Sequence, residues 1–170
     1  MIYNWFMSED PVCIFVDGGN LFHSCRDLGI KIDYNKLKNI LSENRSLLRA
    51  HYYGADDGTE PQRRFFDALR YYGWEVRTLP LRRYGDGIPF EKGVDVMLVT
   101  DMLVGAHRNV YDTAILCSGD KDYVYPVRML KDLGKRVEIA SFEHSLAKEL
   151  RLVADHFISL TENLDRIKRG

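Results

Sequence analysis

The chain has 170 residues, 45% hydrophobic and 29% charged, a composition that describes one globular domain and leaves little room for a second. With 24 basic and 25 acidic residues its net charge is −1, so it is not a generally basic scaffold for polyanions. Its apolar runs fall far short of the roughly 18 residues of a membrane span, which excludes a transmembrane reading.

The opening MIYNWFMSEDP has no basic residue ahead of its apolar side chains and no small-residue cleavage site. A cytosolic protein with no membrane association is therefore expected. Tyr3, Trp5, Phe6 and Met7 are apolar for a free tail and leave two alternatives, packing back on the domain or forming a homo-oligomer with a second copy. We set residues 1–11 apart as an N-terminal segment, 12–160 as the domain and 161–170 as a C-terminal tail.

From Val12 onward, short β-rich runs alternate with longer amphipathic ones. Strands are predicted over 12–16, 47–53, 74–79, 113–117, 136–140 and 156–160, and helices over about 19–28, 34–43, 61–72, 93–107, 122–133 and 144–153. This alternation predicts an α/β fold with a mainly parallel central sheet covered by helices. VCIFV, at 12–16, is apolar throughout, as expected of a strand buried on both faces. Asp33 and Asp122 stand where helix N-caps belong, and Gly73 and Gly134 where helices end. The stretch from Pro80 to Glu91 shows no periodicity and is expected to be a long, functional loop. Cys13, Cys25 and Cys117 are too far apart for C-x-x-C spacing and read as buried thiols, and the five histidines form no zinc-binding pair.

Parallel strands end on one rim, and each following helix begins on that rim. Asp17 directly follows the first strand, with Asn20 three residues on. Asp120 follows TAILC after Ser118 and Gly119, Asp122 opens the next helix, and Asp95 sits in the first turn of the helix beginning near 93. Sequence order thus places four carboxylates and an amide on one edge. Taken singly, Asp122 reads as a cap, Asp95 as a response to the helix dipole and Asp120 as a turn residue. Their joint placement is what points to a site. Carboxylates brought together repel unless a cation offsets them, and oxygen ligands suit Mg²⁺ or Mn²⁺. Asp101 lies about 9 Å along the helix from Asp95, too far to share an ion, and is read as structural or supporting.

These residues also resemble a known family. VCIFVDGGN, EKGVDVMLVTDM, AILCSGDKDYVYPVRMLKDLGKRVEIAS and ADHFISL, in this order, are similar to the NYN domain, and more narrowly to the LabA-like branch of the PIN-like nuclease superfamily. The resemblance implies a three-layer α/β/α, Rossmann-like fold, a Mg²⁺ or Mn²⁺ site of acidic residues, and cleavage of RNA. Its motifs map onto Asp17 and Asn20, onto Lys92 and Asp95, and onto Ser118, Asp120 and Asp122. Where many relatives carry serine and phenylalanine around the last aspartate, this chain has Lys121 and Tyr123; Lys121 either weakens metal binding or adds a phosphate contact.

The expected function is a metal-dependent endoribonuclease acting on RNA, single-stranded RNA favoured. Asp17, Asp95, Asp120 and Asp122 are its catalytic and metal residues, with Asn20, Ser118, Lys92 and Lys121 contacting ligand or phosphate. A local excess of four positive charges between Gln62 and Arg83, interleaved with aromatics, suits RNA, although many of those aromatics have core spacing. Arg82, Arg83 and Tyr84 adjoin the long loop and are the strongest candidates there. The alternatives are a non-catalytic RNA-binding or regulatory protein that keeps the acidic site, and a phosphatase using the same metal. No P-loop, dinucleotide fingerprint or serine-hydrolase elbow is present.

Overall fold

The computed structural model describes residues 10–170, so Tyr3, Trp5, Phe6 and Met7 lie outside the described residues. Val12–Asp17 forms β1, buried along its whole length. It is followed by α1 (Gly18–Asp27), α2 (Tyr34–Leu41), β2 (Leu47–Asp56), α3 (Glu60–Tyr71) and β3 (Trp74–Pro80). The second half runs through α4 (Val94–His107), β6 (Thr113–Cys117), α5 (Val124–Asp132), β7 (Arg136–Ser141), α6 (Lys148–Val153), β8 (His156–Ser159) and α7 (Leu164–Ile167). Between the halves, β4 (Arg82–Arg83) and β5 (Pro89–Phe90) pair antiparallel.

Six strands make one parallel sheet in the order β3-β2-β1-β6-β7-β8. Strand–helix–strand crossovers are right-handed, so elements added to one side of β1 place their helices on one face and those added to the other side use the opposite face. The side chains of β1 divide accordingly. Val12, Ile14 and Val16 pack with Leu21 and Cys25 of α1, Leu37 and Leu41 of α2 and Phe66 and Leu69 of α3. Cys13 and Phe15 face Leu98 and Met102 of α4, Val127 and Leu130 of α5 and Leu150 of α6. The result is a three-layer α/β/α fold, and each fully buried Ile or Val of β1 contributes about 1.5–3 kcal/mol by leaving water.

Four local details differ from the sequence expectation. The stretch from Pro80 to Glu91 contains the β4–β5 ribbon, closed by a turn in which the Gly87 amide donates to the Tyr84 carbonyl. The helix expected from 122 begins instead with a 3-10 turn, Lys121–Tyr123, because the Asp120 carboxylate caps the Asp122 amide. The helix expected over 144–153 divides into a 3-10 turn, Glu143–Ser145, and α6. Beyond Leu160 the chain is still packed: Ile167 of α7 is fully buried, and its carbonyl accepts from the Asp33 amide ahead of α2.

All three cysteines are buried and free. Burial pushes the thiols of Cys13 and Cys25 up to about 11, so they remain protonated. Among the described residues no helix is long and apolar enough to cross a membrane.

Candidate functional site

The strand order reverses at β1 and β6, and the chain leaves these two strands towards opposite faces. A crevice at their carboxyl ends is the consequence. Val16 pairs with Cys117, so the residues that follow, Asp17 and Ser118, emerge side by side.

Asp17 is the end of β1 and the N-cap of α1. One oxygen accepts from the Asn20 amide at 3.1 Å. The other accepts from the Ser118 hydroxyl at 3.3 Å and from the Tyr123 hydroxyl at 2.9 Å. A carboxylate offers about four acceptor positions, so these three donors leave about one, on Oδ1. Loss of hydration raises the Asp17 carboxyl above its ordinary value, the three donors oppose the rise, and the charge of Asp120 adds to it. Such a carboxylate gains from an added cation.

The other residues of the site arrive from three directions. Asn20 accepts from the Gly119 amide at 3.1 Å, tying α1 to the loop after β6. Ser118 also accepts from the Asp120 amide at 3.2 Å, and Asp120 accepts from the Asp122 amide at 3.0 Å. Gly119 has no space for a side chain, since a Cβ would overlap the Ser145 carbonyl and lie 2.8 Å from the Ser141 hydroxyl. Gly93, at φ +86°, turns the chain into α4 through a conformation that disfavours side chains, which sets Asp95 in the first exposed turn. Lys92 and Lys121 are exposed beside these turns.

The charges of Asp17, Asp95 and Asp120 all act on the buried Tyr123 hydroxyl, which burial and these carboxylates keep protonated. Asp122 is exposed and meets Asp120 through its backbone amide. Among the described residues no three His, Cys, Asp or Glu side chains lie close enough to hold one ion as they stand. The donor set nevertheless has the chemistry of Mg²⁺ or Mn²⁺, being all oxygen, negatively charged and open to water. Mg²⁺ keeps several waters and needs only one or two direct carboxylates.

Sequence reasoning missed Glu91. A Cβ on Gly19 would lie 3.1 Å from its carboxylate, which places Glu91 over the first turn of α1. Partial loss of hydration raises its carboxyl, and Asp17 and Asp95 raise it further. Its one signal in the sequence is its place immediately before Lys92, and an aperiodic loop does not fix where a side chain lies. Tyr123 differs in the sequence from the family's usual phenylalanine, and only the fold makes its hydroxyl a partner of Asp17.

The basic stretch separates into two groups. Arg64 pairs with Glu60 at 3.2 Å, Arg70 with Asp67 at 2.9 Å, and Arg77 with Asp101 at 2.8 Å. Asp101 also accepts from Tyr53 at 2.9 Å, which ties α4 to the sheet and fits the structural role expected of it. Arg82 and Arg83 make no ion pair among the described residues, although Arg83 donates to the Gly87 carbonyl at 3.1 Å. They are exposed on the ribbon next to Tyr84, which stacks on Phe90 at 4.2 Å.

A parallel sheet in this order, with interacting carboxylates where the order reverses, defines the class, and the model of the NYN domain matches residues 11–161. The chain belongs to the NYN domain family, as its motifs suggested. It is similar to the low amplitude and bright protein LabA of Synechococcus elongatus, 28% identical over 158 residues that span 89% of this chain and 84% of the relative. Among solved structures it is similar to a protein of unknown function from Vibrio parahaemolyticus, with a TM-score of 0.83 and 26% identity, covering 96% of this chain and 99% of the other.

Proposed function

We propose that this protein is a metal-dependent endoribonuclease that hydrolyses phosphodiester bonds of RNA, preferentially single-stranded, in the cytoplasm. The observation that carries the reading is the buried Asp17 carboxylate at the reversal of strand order, held by Asn20, Ser118 and Tyr123 and acted on by the charge of Asp120. Membership of the NYN family supports it.

Asp17, Asp95 and Asp120 would hold Mg²⁺ or Mn²⁺, partly through water, with Asp122 supporting the site from the 3-10 turn. The cation supplies positive charge to phosphate oxygens and makes water a better nucleophile near neutral pH. Asn20 and Ser118 keep the two carboxylate-bearing loops in register, and Lys92 and Lys121 receive phosphate. Arg82, Arg83 and Tyr84 extend that contact along the ribbon. In the reaction the oxygen of water bonds to phosphorus as the bond to one ribose oxygen breaks, and the proton of water passes to that leaving oxygen.

One observation favours the non-catalytic RNA-binding reading: three donors already occupy most of Asp17, and no three ligands converge among the described residues. The two readings separate in one experiment. Purified protein is incubated with single-stranded RNA in Mn²⁺, Mg²⁺ or chelator, beside Asp17→Asn and Asp120→Asn. Cleavage that needs the ion and is lost in both variants is expected. Cleavage unchanged in either variant would sink the catalytic reading, and binding without cleavage in every metal would establish the alternative.

A further inference from the structure

Three large aromatic side chains stand exposed on the rim that carries Asp17 and Asp120. Phe22 is 60% exposed in α1, Tyr84 is 61% exposed on the ribbon, and Tyr125 is 68% exposed in the first turn of α5. Isolated exposed aromatics are ordinary, but these come from three separate elements that flank one site. Phe22 lies three residues beyond Gly19, so it shares the side of α1 that meets Glu91. Tyr84 stacks on Phe90, the residue that precedes Glu91 in the chain. Tyr125 follows Asp120 by five residues on the other side of the crevice.

Exposed cations stand among the carboxylates of Glu91, Asp95, Asp120 and Asp122 on this side of the molecule. Arg82, Lys92 and Lys121 make no ion pair among the described residues, and all are exposed. The ring of Tyr84 is already stacked on Phe90, at an interplanar angle of 18°, and is still 61% exposed. A ring held in this way loses little freedom when a second ring stacks on it.

We propose that Phe22, Tyr84 and Tyr125 are stacking positions for unpaired nucleobases, so that this rim selects single-stranded RNA over duplex. This rests on the proposed ribonuclease function and deepens it. Stacking needs the flat faces of bases, which a duplex hides against one another, while phosphate contacts alone would accept either form. The aromatics therefore supply the discrimination and the neighbouring cations most of the salt-dependent affinity.

The test uses the full chain carrying Asp120→Asn, so that RNA stays intact, and a single-stranded oligonucleotide with 2-aminopurine at successive positions. Phe22→Ala and Tyr125→Ala should each weaken binding roughly 5- to 150-fold and remove the fluorescence quenching that stacking produces. Binding of a duplex of the same sequence should be unaffected. Tyr71→Ala is the control, because Tyr71 is 85% exposed but ends α3 at the opposite rim. Equal affinity and equal quenching in the parent and both rim variants would overturn the proposal, as would an equal loss for duplex. If the parent binds no RNA at all, the ribonuclease reading fails and takes this proposal with it.

Discussion

The Tyr123 hydroxyl, on a side chain only 2% exposed, donates to Asp17 at 2.9 Å. It joins the 3-10 turn after β6 to the end of β1. It also fixes which oxygen of Asp17 stays available, because Oδ2 is shared with Ser118 and Oδ1 keeps the remaining acceptor position.

Tyr123→Phe removes only that hydroxyl and leaves the ring in place. Losing a hydrogen bond to a charged acceptor should lower stability by about 1.5–3 kcal/mol. The freed carboxylate should also hold Mn²⁺ about 10- to 100-fold more weakly, as happens when an outer partner of a ligand is removed. Denaturant unfolding and a direct Mn²⁺ titration measure the two effects separately. Unchanged Mn²⁺ affinity would mean that Tyr123 only packs.

Asp17 is nearly buried, and lost hydration raises its carboxyl. A cation that binds the folded state alone stabilises it in proportion to the logarithm of its concentration. Wild-type protein should therefore melt at higher temperature as Mn²⁺ is added at neutral pH, and Asp17→Asn should not. A matching rise in the variant would place the ion elsewhere.

Gly119 is pressed against the backbone of the 3-10 turn before α6. A backbone carbonyl cannot swing aside, so Gly119→Ala should displace the loop that bears Ser118 and Asp120 and cost about 1–3 kcal/mol. Cleavage should fall with stability. An alanine variant as stable and as active as wild type would show that the loop yields freely.

Glu138 is 2% exposed and bonds to Arg45 at 2.8 Å and Arg136 at 2.9 Å. Burial alone would raise its carboxyl, but the two guanidinium groups outweigh burial and hold it below the ordinary 4.5. The folded state then binds this proton less readily than the unfolded chain. Its contribution is fully present above pH 4.5 and is lost as pH falls through the lower folded value. Glu138→Gln should flatten that acid-side loss and reduce stability by about 1–3 kcal/mol at neutral pH, with no effect on metal binding. A stability profile identical to wild type from neutral pH into acid would contradict the assignment.

The sequence by itself determined the alternation of strands and helices, the fully buried β1, and the placement of Asp17, Asp95 and Asp120 at strand ends or first helical turns. These follow from local periodicity and chain direction, which need no knowledge of distant partners. The tertiary structure alone decided which strands lie next to one another, and so where the order reverses. It also turned Tyr123 onto Asp17, laid Glu91 over Gly19, gave Asp101 to Tyr53 and Arg77, and, among the described residues, left Arg82 free of ion pairs while Arg77 was taken. Each of these is a contact between residues far apart in the chain, set by how the layers pack. A net charge of −1 conveys none of it, because charge counts have no positions, and only folding separates the acidic crevice from the basic ribbon beside it.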